Sequence, residues 1–331
     1  MVGRNLDGRY RLAHMIHLGG MGAIFRAEQL STGREVAVKV LKPAKSEDPD
    51  LVRRFEREAE VLERLSHPNI VTLIDAGRGA GGISYLAMER VGGATLRDAL
   101  ENGSLSLLEI VSVFSDAASA LAEVHAEEVV HRDLKFENIM VSRQADGRLR
   151  VTVLDFGVAK PMWEDRAFDV TRKREVPGTP SVVAPELVGE GDPTPQSDLY
   201  SLGVMFYTAL AGEEPFEAVH DLELMRAHKQ EPVPDLGARA ATYVPESLIE
   251  LTERLLEKDP RQRPPSATAV RDRLESVRHL LWESPLDNYA YEPGDEGSEE
   301  LREVVSSVVR DSSDETGKIP DWLRSVFGSG A

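Results

Sequence analysis

Three features of this 331-residue chain have the residue types and spacing to do chemistry. A glycine cluster, Gly19-Gly20-Met21-Gly22, lies between two β-like stretches. Lys39 ends a strand-like run reading VAVK. Two acidic sites follow much later, HRDLKFEN at 131–138 and DFG at 155–157. Backbone N–H groups reach phosphate oxygens closely only where side chains are absent, so the glycines suit an anion. They suit a plain hairpin equally well, and that alternative stays open. Taken singly, each feature is weak. The chain has no cysteine, which excludes disulfides, thiolate zinc sites, iron–sulfur clusters and cysteine nucleophiles.

These groups need elements to hold them. Tyr10 to His17 and Ala23 to Leu30 are β-like and flank the glycines; Glu35 to Leu41 is a further strand, ended by Pro43. Asp50 to Leu65 has helical spacing, with Leu51, Phe55, Ala59, Leu62 and Leu65 on one face. Ile70 to Asp75 and Ile83 to Met88 complete a sheet. Beyond Thr95 the pattern is mainly helical: Leu107 to Ala126, then about 197–212, 220–229, 245–257 and 266–280. Ile139 to Ser142 and Arg148 to Leu154 read as a hairpin turned at Asp146-Gly147. Pro161 to Pro180 is polar and aperiodic, a long loop of the kind that is functional or disordered.

Together and in this order, the motifs resemble the eukaryotic-type protein kinase set of Gly-rich loop, VAVK lysine, catalytic loop, DFG and APE. The likeness spans about residues 10–280, and GGMG, SHPNIV at 66–71 and GTPSVVAPE at 178–186 look most like the bacterial eukaryotic-like (Hanks-type) Ser/Thr protein kinases. The resemblance implies an α+β, bilobal protein kinase fold. Its N-lobe, about 10–89, is an antiparallel sheet plus one helix, and its C-lobe, about 92–280, is mainly α-helical. It implies a non-specific Ser/Thr kinase that passes the γ-phosphate of Mg·ATP to protein hydroxyls and autophosphorylates its activation loop. The alternative is a pseudokinase or scaffold that binds partners through the fold and the acidic tail. Loss of a catalytic group would mark it, and Lys39, Glu58, Asp133, Lys135, Asn138 and Asp155 are all present.

The resemblance also assigns roles. Gly19 and Gly22 match the second and third loop glycines, while His17 stands at the first, a departure. The loop as a whole, Ile16, His17, Leu18, Gly19, Gly20, Met21, Gly22 and Ala23, would cover the phosphates. Lys39 would contact the α- and β-phosphates and pair with Glu58, with Glu56 and Glu60 facing elsewhere on the helix. Asp133 would orient the substrate hydroxyl and accept its proton, and Lys135 would reach the γ-phosphate. Asn138 and Asp155 would bind Mg²⁺ through hard oxygens. Ile24, Ala37 and Met140 would sandwich adenine, with Met88 at the gatekeeper position and Glu89 and Val91 at the hinge. Leu62, Leu73, His131 and Phe156 would form a spine between lobes. Glu186 and Arg263 would form a buried ion pair, and Asp198 would hold the catalytic-loop backbone. Arg132 would meet a phosphate on the activation loop, with Thr171 as the autophosphorylation site; Thr179 would bridge Asp133 and Lys135. Phe136 and Val182 replace the family's usual proline and tyrosine, and Glu137 could attract a basic substrate residue.

Net charge is −18. An acidic chain is a poor nucleic-acid binder, and none is expected. No leader and no membrane span are expected either, so the chain reads as cytoplasmic. Composition changes after about residue 282, and 281–331 reads as an acidic, largely disordered tail. Glu299 to Arg310 has helical spacing, and Ile319 to Phe327, IPDWLRSVF, resembles a short docking helix with aromatic anchors. The partners implied are ATP and protein substrates, a homodimer through the N-lobe, and proteins that recognise a phosphorylated tail.

Overall fold

A computed structural model describes residues 2–19, 22–42, 48–79, 82–155, 179–189, 191–240 and 243–283. The N-terminal part is one antiparallel sheet. Its strands are β1 (Asn5–Leu6), β2 (Tyr10–Leu18), β3 (Gly22–Gln29), β4 (Arg34–Leu41), β5 (Leu73–Arg78) and β6 (Ser84–Glu89), in the order β1-β2-β3-β4-β6-β5. Alternation sorts its side chains. Ile24 pairs with Lys39 and Ala37 with Met88, so these four share one face. Ala23, Phe25, Val38 and Val40 lie on the other face and bury there with Tyr10 and Tyr85.

Helix α1 (Pro49–Arg64) crosses the first face. Asp48 caps it by accepting from Asp50 N at 3.0 Å, and Pro49 supplies the preset first-turn backbone. Its buried stripe is Val52, Phe55, Glu58, Ala59, Val61 and Leu62. One carboxylate thus sits among apolar neighbours that pack on Leu41 and Leu86. Glu56 and Glu60 are exposed, as expected, and Glu56 pairs with Arg78 at 2.8 Å.

The expected strand Ile70 to Asp75 is displaced: β5 begins at Leu73. Ile70 instead bridges Val153, and Val71 N donates to Val153 O at 3.1 Å. The backbone of this segment is thus committed to the second lobe, and the pairing with β6 is irregular between Leu73 and Asp75.

The second lobe is mainly helical. After β7 (Ala94–Thr95) come α2 (Leu96–Glu101) and α3 (Leu107–Ala126), which starts on a Ser106/Glu109 capping box. The hairpin β8 (Ile139–Arg143) and β9 (Leu149–Val153) closes where Asp146-Gly147 predicts, with Gly147 at φ 85°. Helices α4 (Pro195–Ala211), α5 (Asp221–Gln230), α6 (Leu236–Arg239), α7 (Glu246–Leu255) and α8 (Ala267–Glu283) follow. Buried α3 is the hub, packing on α4, α8 and β9, with Phe114 and Phe206 at 4.8 Å between ring centroids. The expected helices agree to within a few residues, as end-fraying allows. Among the described residues no helix is long and apolar enough to cross a membrane. The DFG-to-APE loop up to residue 178, with Phe156 and Thr171, and the tail from 284 lie outside the described residues, as do Gly20 and Met21.

Candidate active site

Strand β4 delivers Lys39 into the gap between α1 and the end of β9. Its Nζ lies 2.7 Å from Glu58 Oε1 and 2.7 Å from Asp155 Oδ1. Burial opposes the lysine's charge, but the two carboxylates outweigh it and raise its pKa above the ordinary value. Burial also opposes ionisation of Asp155, yet Lys39 holds that carboxyl below its usual range. Glu58 is the most enclosed of the three, and burial pushes it up to about 7 against the pull of Lys39. The stable arrangement is a charged lysine and an ionised Asp155, with Glu58 the first to take a proton.

Asp155 itself has φ 42°, a backbone that L-residues seldom adopt. It follows directly on β9, whose end is fixed by Leu154 N donating to Asn138 O at 2.7 Å. That bond sets the residues of the two acidic motifs side by side. Asn138 is buried, and its Nδ2 donates to Asp133 O at 2.8 Å. The carboxamide oxygen is thereby turned away from the loop backbone.

Asp133 is held by its own neighbours. Oδ2 accepts from Lys135 Nζ at 2.9 Å, and Oδ1 accepts from Thr179 Oγ1 at 3.3 Å. Beneath it, Asp198 accepts from His131 N at 2.8 Å and Arg132 N at 2.9 Å. These bonds hold Arg132 in the left-handed region at φ 66°. His125 also reaches Asp198, at 2.9 Å, a partner that sequence reasoning missed because a lone histidine on α3 carries no motif. Burial lowers the pKa of His131 and keeps its ring neutral, as its contacts with Leu154 O and Asp133 N require.

Around this centre the loop residues separate. Gly19 N donates to Gly22 O at 3.0 Å, so the cluster does close a hairpin. Gly22 is required by packing, since a Cβ there would run into the carbonyl oxygen of Val40. His17 pairs with Ile24 across the strands, and its ring lies near Gly19 on the Lys39 side of the sheet. Ile16 and Leu18 are exposed. Ala23 faces the opposite side of the sheet from Ile24, so only its backbone adjoins the turn. Met140 lies on β8 opposite Thr95, Val91 packs against the main core, and Glu89 is paired with Arg150 at 3.1 Å.

Phe136 and Glu137 find a shared partner that the sequence did not reveal. The Arg97 guanidinium lies 4.9 Å from the Phe136 ring centre, and its Nε is 2.6 Å from Glu137. Glu137 is therefore already paired, and a basic substrate residue would have to displace Arg97.

The expected structural pair is present. Arg263 meets Glu186 through two parallel bonds, 2.9 and 2.8 Å, and also donates to Gln196 O and Glu257 O. Burial works against the Glu186 charge, but Arg263 brings its pKa below the ordinary value.

The donor set fits Mg²⁺ in the manner that ion prefers. Asn138 and Asp155 offer hard oxygens. Among the described residues no group of three or more ligating side chains forms a cage. Mg²⁺ commonly takes one or two carboxylates together with substrate phosphates and water.

Residues 10–274 match the family described as "Protein kinase domain". The chain is 37% identical over 279 residues to serine/threonine-protein kinase pkn3 of Myxococcus xanthus, covering 83% of this chain and 51% of that protein. It is 39% identical over 282 residues to serine/threonine-protein kinase PknA of Mycobacterium tuberculosis, covering 84% and 63%. This chain thus spans less than two thirds of the length of either relative. The crystal structure of the PknI kinase domain of Mycobacterium tuberculosis superposes with a TM-score of 0.63 at 25% identity, covering 83% of this chain and 98% of that one. Lys39, Glu58, Asp133, Lys135, Asn138 and Asp155, whose loss would mark a scaffold, are all present in the chain.

Proposed function

The chain belongs to the protein kinase domain family, and from that premise we propose that it transfers the γ-phosphoryl group of Mg·ATP to Ser/Thr hydroxyls of proteins, itself included. The observation that carries the reading is the continuous assembly from Glu58 through Lys39 to Asp155, set beside Asp133 and Asn138 by the Leu154–Asn138 bond. Phosphoryl transfer asks little covalent help of a protein. It needs alignment of the donor and neutralisation of charge.

Lys39, kept charged by its carboxylates, holds the α- and β-phosphates, and Glu58 fixes where that ammonium points. Asn138 and Asp155 would hold Mg²⁺, which neutralises phosphate charge when bound. Asp133, oriented by Lys135 and Thr179, receives the substrate hydroxyl and takes its proton as the oxygen attacks. Lys135 is near enough to Asp133 to counter charge that develops at the transferred group. Ile24 and Ala37 cover one face of adenine and Met140 the other, with Met88 at the gatekeeper position and the backbone of Glu89 and Val91 as hydrogen-bonding edge.

Arg132, strained and next to Asp133, is the cation on which a phosphorylated loop residue would settle, and Thr171 is the proposed acceptor. Phosphosite mapping should find Thr171 modified in protein expressed as wild type and bare in Asp133→Asn. Equal phosphorylation of both would show that another enzyme modifies it. Residues 281–331 are proposed as a tail distinct from the catalytic domain, although α8 continues to Glu283 and so crosses the expected boundary.

A further inference from the structure

The outer face of the N-lobe sheet is closed at one end and open at the other. Leu6, Tyr10, Leu12 and Tyr85 cover it over Ala27, Val36 and Val38. Toward the glycine turn the same face continues through Ala23, Phe25 and Val40, with Met15 and Leu18 at the rim, around a cavity of about 380 Å³. Met15 is 50% exposed and Leu18 59%, and Ile16 between them is 57% exposed. Met15 and Leu18, two large apolar side chains presented to water at the rim of this apolar floor, mark a surface built to be covered.

The chain carries a segment with matching chemistry. In IPDWLRSVF, Trp322, Leu323, Val326 and Phe327 fall at positions i, i+1, i+4 and i+5, the spacing that a helical face would require. Aromatic side chains of this kind bury about 150–250 Å² each. The tail that carries the segment is acidic, with four Lys/Arg and eleven Asp/Glu over 284–331, net −7, and Lys42 lines the cavity. Length permits the pairing. Thirty-five residues separate Glu283 from Ile319. Fully extended they reach about 120 Å. The folded domain is only about 50 Å across by size scaling.

We propose that Ile319–Phe327 docks in cis on this open face, with Trp322 and Phe327 filling the space between Met15 and Leu18. The segment would then sit against the strand that leads into the glycine turn. The proposal does not depend on phosphoryl transfer.

The absence of cysteine makes the test clean, because introduced thiols are the only ones present. Met15→Cys with Val326→Cys should form a disulfide within one chain when oxidised glutathione is added. The rate should exceed that of a Met15→Cys, Ser298→Cys control by about tenfold or more, the gain expected of a docked over a merely tethered partner. Adding Trp322→Ala and Phe327→Ala should return it to the control rate. Equal rates in the two pairs would overturn the proposal. So would disulfides joining two chains, which would put a second copy on this face instead.

Discussion

Lys39→Met should reduce phosphoryl transfer by about 10²-fold or more while leaving the melting temperature near that of the wild type. The two halves of this expectation have different causes. Activity falls because, among the described residues, no other cation stands where Lys39 bridges Glu58 and Asp155 at 2.7 Å each. Stability survives because the carboxylates left behind have an escape. Glu58, already pushed up to about 7 by burial, takes a proton instead of remaining an unpaired buried charge. Asp155 keeps partial access to water, with 32% of its side chain exposed. Methionine fills most of the vacated volume. Initial rates at saturating Mg·ATP, read beside a thermal melt, check both halves. Full activity in the variant would remove Lys39 from the mechanism.

Arg263→Met should do the reverse, destabilising the C-lobe by about 3–5 kcal/mol. For a domain of this size that is on the order of a 10 °C loss of melting temperature. The Arg263 side chain is completely buried and satisfies Glu186 twice, along with the carbonyls of Gln196 and Glu257. Without it, Glu186 keeps only Ser197 as a side-chain partner. Its pKa, depressed by Arg263 in the native state, then has no cation to depress it. Adding Glu186→Gln should recover part of the loss, because the uncompensated charge goes with it. Differential scanning calorimetry of the single and double variants decides this. A double variant no more stable than Arg263→Met would place the cost in lost packing instead.

The charged cluster was legible in the sequence because its residues stand in motifs of fixed order and spacing. Lys39 meets Glu58 and Asp155 in one cluster, and Asn138 is bonded to Asp133 and Leu154 beside it. The apolar stripe of α1 was legible too, and Glu58 is its one buried acid. Contacts that depend on which chain segments come together in space could not be read this way. Arg97 carries no motif, yet it stacks on Phe136 and pairs with Glu137. His125 is one histidine among apolar helix residues until folding brings Asp198 to it. Ile70 reads as strand by its apolar neighbours, but its backbone pairs with β9 of the other lobe. The face of Ala23 illustrates the same limit, since proximity to the glycines in sequence does not decide the side of a sheet.

Phosphoryl transfer by the assembled charges is open to direct measurement. Intact mass after incubation with Mg·ATP tests it most directly, with wild type and Asp133→Asn each first treated with phosphatase and shown to bind nucleotide. The wild type should add phosphoryl groups to itself, or to a generic protein acceptor supplied with it, and Asp133→Asn should add none. Nucleotide binding by the wild type without transfer to itself or to the acceptor would contradict it.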